Sequence, residues 1–187
     1  CTPFEWHQDA FRLAKKLGAT LFSTPFSERG VKLLEKHKVS LYKISSFEIT
    51  DLNLVQSIAR TKKPVLISTG LANFKEINTA LKLVKKYHNK IIILYCVSGY
   101  PTPHSEANIK TLNLYKKKFK NIMIGISDHT NDIHSSLAAT SFGIVAIEKH
   151  FKLNNTEQTV DSKFSISAEK LQQLKRFSQN IFSTLGC

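Results

Sequence analysis

Residues 122–130 read Ile-Met-Ile-Gly-Ile-Ser-Asp-His-Thr, IMIGISDHT. The apolar half predicts a buried strand. The polar half, Ser127, Asp128, His129 and Thr130, holds groups that bind, orient or transfer protons. A parallel α/β strand has this form where it leaves the core and enters a ligand site. Residues 144–151, IVAIEKHF, repeat the pattern, with Glu148, Lys149 and His150 near the end. Two successive strands that each end in histidine can present two imidazoles to one metal ion, or serve as an acid–base pair. The bland alternative for each histidine alone is a structural or solvated side chain.

Working outward, the same strand–helix alternation covers the chain. Expected strands are 19–23, 39–44, 64–68, 90–96, 122–130 and 144–151. Expected helices run to about Leu17, from Arg29 to His37, from Leu52 to Ala59 and from about Asn73 to His88. Three more cover about 109–119, 132–142 and 167–182. Ser27, Asp51, Asn73 and Ser167 sit where side chains cap helix N-termini. Residues 152–165 read as a long loop. Strand spacings of roughly 20–30 residues are those of βαβ units, and continuous apolar strands imply a sheet covered on both faces.

Two closures fit this pattern: an open doubly wound sheet or a (β/α)8 TIM barrel. The strand ends favour the barrel. They carry Thr24, Lys43 with Ser45, Ser68, Ser98 with Tyr100, Ser127 with His129, and Glu148 with His150. In a barrel every strand end faces one central site, whereas an open sheet needs such groups only beside its switch point. A complete barrel takes eight strands and typically about 250 residues. The expectation is an α/β fold: a truncated TIM barrel covering about strands three to eight, with all 187 residues in that one partial domain.

The formal charge of +13 raises nucleic-acid binding as a possibility. Against it, arginine occurs only at Arg12, Arg29, Arg60 and Arg176, and the lysines spread over helix faces without interleaved aromatics. Arginine forks and stacking rings carry base recognition. A solvated lysine surface that attracts small anions is the better reading, with no nucleic acid as partner. No run of about 18 apolar residues occurs, so no membrane partner is expected. Cys1, Cys96 and Cys187 form no disulfide framework, which suggests a cytoplasmic protein. Walker, GxGxxG, HExxH and GxSxG motifs are absent from the sequence, so nucleotide hydrolysis, nicotinamide chemistry and triad hydrolysis have no motif behind them.

Lys43, inside YKISS, has three readings: an edge lysine with a packed stem, a phosphate contact, or a Schiff-base nucleophile. The hydroxyls of Thr24, Ser45, Ser68 and Ser127 favour anion binding, because they donate to phosphate oxygens. The Tyr100–Pro103 stretch, YPTP, is a rigid extended loop by composition.

Together these stretches resemble the sialic acid synthase family, the phosphoenolpyruvate-dependent synthases of nonulosonic acids. The resemblance rests on FSTPF (22–26), YKISSFE (42–48), LISTG (66–70), CVSGYPTP (96–103), GISDHT (125–130) and IEKHF (147–151). TPFEWH at Thr2–His7 and VDSKFS at Val160–Ser165 resemble the pseudaminic acid branch. The resemblance implies a metal-dependent condensation of phosphoenolpyruvate with 2,4-diacetamido-2,4,6-trideoxy-L-altrose, releasing phosphate. N-acetylneuraminate and legionaminate synthases are the neighbouring readings, and a non-catalytic sugar-binding remnant is a third.

Under the same resemblance, His129 and His150 become catalytic metal ligands for manganese or magnesium. Lys43, Thr24, Ser68 and Ser127 contact the phosphate and carboxylate of phosphoenolpyruvate. Ser98 takes a contact usually made by asparagine. Tyr100 and Phe26 line the cavity, and Asp161 lies near the sugar. The resemblance also implies a homodimer, two earlier strands and a C-terminal antifreeze-like domain beyond this stretch, and little activity for the stretch by itself.

Overall fold

A computed structural model describes residues 2–153 and 159–186. The terminal cysteines, and residues 154–158 of the expected loop, lie outside the described residues. The chain divides into two compact units, Cys1–Ile67 with Ala72–Ile91, and Ser68–Leu71 with Ile92–Cys187.

In the first unit, α1 (Trp6–Lys16) ends at Gly18, whose φ of +69° suits a residue without a Cβ. Helix α2 (Glu28–Lys36) is capped by the Ser27 hydroxyl, which accepts from the Gly30 amide at 3.3 Å. Strand β1 (Tyr42–Ile44) runs parallel to β2 (Val65–Ser68, with Ser68 itself assigned to the second unit), pairing Tyr42 with Val65 and Ile44 with Ile67. Between them lies α3 (Leu52–Ala59), whose N-terminal amides at Asn53 and Leu54 donate to Asp51. Helix α4 (Phe74–Lys85) opens with a full capping box between Asn73 and Glu76. Buried Ile44, Val55, Ile58, Ile67, Ile77 and Val84 form the core of this unit. The Tyr42 hydroxyl, drawn into that core, donates to Glu35 at 2.7 Å, and Glu35 also receives Lys63 at 2.6 Å.

The second unit is built on three parallel strands in sequence order. They are β3 (Ile91–Cys96), β4 (Met123–Asp128) and β5 (Ile147–Lys149), with Ile91 itself assigned to the first unit. Helices α5 (Thr111–Lys118), α6 (His134–Thr140) and α7 (Ala168–Thr184) belong to the same unit. A short parallel pair, β6 (Phe151–Lys152) and β7 (Ile166–Ser167), follows β5. Ile133, Ile166 and Leu174 pack with Leu137, Ile147 and Phe177, and so fasten α7 over β5 and α6. Gly125 lets β4 and β5 approach closely. A Cβ there would lie 2.6 Å from the Ala146 carbonyl oxygen and 2.7 Å from a Leu94 methyl.

The α/β class and the parallel strands with helical connections agree with a truncated barrel. Two expectations change. Residues 19–23 form no strand; the segment lacks the ladder hydrogen bonds that define one, despite its apolar composition. Helix α1 buries none of its residues, and Leu13 and the following Leu17 are exposed. The stretch 152–165 is not wholly loop: it takes in Lys152, the last residue of β6, and a 3-10 turn at Val160–Lys163.

Candidate functional site

Strands β4 and β5 are in register, with Ser127 opposite Glu148 and Asp128 opposite Lys149. Side chains alternate along a strand, so one register carries two different sets of contacts. On one side the Ser127 hydroxyl donates to Glu148 at 2.7 Å. One step further along the same side, the rings of His129 and His150 lie 5.3 Å apart, centre to centre. On the other side Asp128 and Lys149 form an ion pair at 3.0 Å, each side chain only 2% exposed.

His129 is oriented by its Nδ1, which donates to the Val97 carbonyl at 3.0 Å in the loop after β3. That bond selects the tautomer whose Nε2 keeps its lone pair. Burial holds the imidazole below its ordinary pKa; the Val97 carbonyl opposes this, and His150 adds to it. A neutral ring with a free lone pair is the form that binds a metal ion. The His150 Nδ1 lies 3.5 Å from Asp161, which enters from the 3-10 turn. The pairing of a ligating ring with a carboxylate is a common way to fix a metal-binding imidazole.

Aromatic side chains wall this pair. The Tyr100 ring sits 4.2 Å from His129 and 6.4 Å from His150. The Phe164 ring sits 4.8 Å from His150 and 5.2 Å from Tyr100. Burial raises the Tyr100 phenol, with the nearby Cys96 adding to the effect and a hydrogen bond from Ser98 opposing it. Cys96, buried at the end of β3, has its sulfur 3.8 Å from the His129 Nδ1.

Ser98, Tyr100, Ser127, His129, His150 and Asp161 thus come together within the second unit. Ser68, also in that unit, is 2% exposed and its hydroxyl has no hydrogen-bond partner among the described residues. A buried hydroxyl left in that state forfeits free energy unless something else bonds it. In the first unit Lys43 lies in β1 and is 6% exposed. Thr24 and Phe26 line a cavity of about 350 Å³ with Phe4, His7 and Pro25.

The donor set fits a divalent cation in an open site: two imidazoles, with the remaining positions left to water or substrate oxygens. Among the described residues, no group of three or more His, Cys, Asp or Glu side chains is clustered as a metal site. No described helix is long and apolar enough to cross a membrane.

Sequence reasoning missed the contacts behind the site. The Asp128 Oδ2 also accepts from Ser136 at 2.5 Å, and its Oδ1 accepts from the Thr130 amide at 2.8 Å. Lys149 donates to the Thr130 carbonyl at 2.5 Å. Burial pulls the Lys149 ammonium below the usual lysine range, while Asp128 holds it back. Alternation along the two strands was the available signal, since it separates Asp128 and Lys149 from their histidine neighbours. Phe164 was also missed; nothing in VDSKFS distinguishes it from an ordinary core residue.

The NeuB family model matches residues 1–187. A pseudaminic acid synthase from Helicobacter pylori is 43% identical over 166 residues, covering 88% of this chain and 48% of that protein. Another, from Campylobacter jejuni, is 36% identical over 186 residues, covering 99% of this chain and 54% of that protein. The solved N-acetylneuraminic acid (sialic acid) synthetase of Leptospira borgpetersenii superposes with a TM-score of 0.95 at 30% identity. It covers 100% of this chain, which in turn covers 65% of it. The chain spans about half the length of the curated relatives it matches. From the match along its whole length and from the relatives' sequences and fold, this chain belongs to the NeuB family.

Proposed function

We propose that the protein carrying this chain is a pseudaminic acid synthase. It joins phosphoenolpyruvate to 2,4-diacetamido-2,4,6-trideoxy-L-altrose and releases phosphate. The observation that carries the reading is the histidine pair, 5.3 Å apart on adjacent strand ends, with the Nδ1 of His129 committed to Val97. The identity to two pseudaminic acid synthases supports the branch.

The enol carbon of phosphoenolpyruvate forms the new bond to the aldehyde carbon. Water adds at the carbon that carries the phosphate, and phosphate leaves with its bridging oxygen, so a keto group remains. One water proton ends on the new hydroxyl and the other leaves with the phosphate. His129 and His150 would hold a divalent cation, manganese or magnesium, through their Nε2 atoms, and the chemistry it would supply there is Lewis acidity.

The candidates for the phosphate and carboxylate are Ser68 and Ser127 in the second unit and Thr24 and Lys43 in the first, and the Ser68 hydroxyl, unpartnered among the described residues, supports this role. The candidates for the sugar are Asp161, Ser98 and Tyr100 in the second unit and Phe26 in the first. The rings of Tyr100 and Phe164 flank the imidazoles. The same reading implies a cytoplasmic homodimer.

The test is phosphate release by the complete protein. The altrose derivative and N-acetylmannosamine are offered separately, each with manganese and with a chelator. Release with the altrose sugar alone, abolished by chelation and by His129→Ala, is expected. Release with N-acetylmannosamine instead moves the branch. Turnover in the presence of chelator, with borohydride trapping at Lys43, replaces the metal reading with Schiff-base chemistry. No release with any sugar leaves the non-catalytic reading.

A further inference from the structure

The Asp128–Lys149 pair lies next to both histidines in sequence, yet it faces away from them. Every strong donor and acceptor in it is used. The carboxylate accepts from Lys149 at 3.0 Å, Ser136 at 2.5 Å and the Thr130 amide at 2.8 Å. The ammonium also donates to the Thr130 carbonyl at 2.5 Å and faces the Thr130 hydroxyl at 3.4 Å. Thr130 is therefore gripped at its amide by one partner and at its carbonyl by the other. His129 lies between Asp128 and Thr130, so the grip fixes the backbone on both sides of the ring. Lys149 directly precedes His150, so the same contact anchors the second ring.

Stability alone is a poor explanation for this arrangement. Two charges withdrawn from water gain little over apolar side chains of the same size. Their better-attested use is to fix register, and here register decides whether the two imidazoles meet.

We propose that Asp128 and Lys149 are positioning residues, whose buried ion pair locks the β4–β5 register and the Thr130 backbone so that His129 and His150 converge on one cation. This inference rests on the metal-dependent reading above.

The test uses the complete protein and two variants. Asp128→Asn with Lys149→Met removes both charges and keeps the volumes. Ser136→Ala removes one bond to Asp128 without a change in charge. Manganese affinity is read by calorimetry, and the His129 tautomer by the nitrogen chemical shifts of its ring. The double variant should stay folded and lose about tenfold or more in manganese affinity, as removal of supporting contacts around metal ligands does. Its His129 should leave the single Nδ1–H tautomer, and Ser136→Ala should shift both readouts in the same direction by less. Affinity within about twofold of the parent, with an unchanged tautomer, would overturn the proposal. If the double variant does not fold, the same result in Ser136→Ala overturns it. If the parent binds no manganese, the metal-dependent reading has failed. Positioning is then judged by the tautomer alone, and parent-like shifts in the variants overturn it.

Discussion

Gly125→Ala should be among the most damaging single-methyl changes in this chain. The added Cβ would stand 2.6 Å from the Ala146 oxygen, 2.7 Å from the Leu94 Cδ2 and 3.0 Å from the Ala146 Cβ. Carbon atoms rest at about 3.5–4.0 Å, so the Leu94 contact is too short by roughly 1 Å. Leu94 is fully buried and has little room to withdraw. The Ala146 oxygen accepts from the Ile126 amide at 2.9 Å, so it moves only if a ladder bond stretches. Overpacking costs about 1–3 kcal/mol, and a weakened ladder bond about 0.5–1.5 kcal/mol. The sum is about 1.5–4.5 kcal/mol, or a fall in Tm on the order of 3–18 °C. Urea unfolding followed by circular dichroism should show the midpoint falling with the slope unchanged. Because β5 leads into His150, a separation of β4 and β5 should also weaken manganese binding. A stability loss below about 0.5 kcal/mol would refute the reasoning, since it would show that the two strands relax without resistance.

Other substitutions test other joints of the structure. Glu35→Ala strips the buried Tyr42 hydroxyl of its 2.7 Å partner and should cost about 1–2 kcal/mol. In a double-mutant cycle with Tyr42→Phe the losses should be less than additive, and simple additivity would refute the coupling. Asn73→Ala removes the cap of α4 at the Lys75 and Glu76 amides and should cost about 1 kcal/mol, against a few tenths for Asn73→Gly. Burial raises the Asp132 carboxyl, but the Ile133 amide and Lys170 at 3.0 Å outweigh it and hold the group below its ordinary value of 3.8. Its folded pKa is depressed, so its contribution is present above the unfolded value and is lost as pH falls through the folded one. The group is partly exposed, so the gain is no more than about 1 kcal/mol. Urea midpoints of the parent and Asp132→Asn should differ at neutral pH and converge in acid; a constant gap would refute the assignment.

Local signals in the sequence carried well into the structure. Ser27, Asp51, Asn73 and Ser167 cap the helices expected of them, because a cap needs only its own side chain and amides two or three residues on. Runs such as Ile91–Cys96 are strands because apolar β-branched residues favour the pleated interior. Residues 19–23 have the same character but no ladder, and a ladder depends on a partner the local sequence cannot name. Helix α1 meets the same limit: amphipathicity shows which face could be buried and not what covers it, and none of its residues is buried. At the site, His129 and His150, whose rings lie 5.3 Å apart, were legible as a pair on successive strand ends. Asp128 and Lys149 were not, because their partnership depends on the alignment of two strands about twenty residues apart.

The alternation in β4 and β5 also sets how this chain tolerates insertions. An extra residue placed just before Ser127 or just before Glu148 would turn the following side chains to the other side of the strand. The imidazole would then occupy the dry compartment behind the sheet, and a carboxylate or an ammonium would stand in the ligand space. Either strand alone would bring its charge out of reach of its counterpart, so the two segments form a reading frame in space. Length changes are accommodated only in the helices and loops that join them. A library of single-codon insertions across residues 123–152 should therefore show folded products clustered at the α6–β5 connection and few within the two strands.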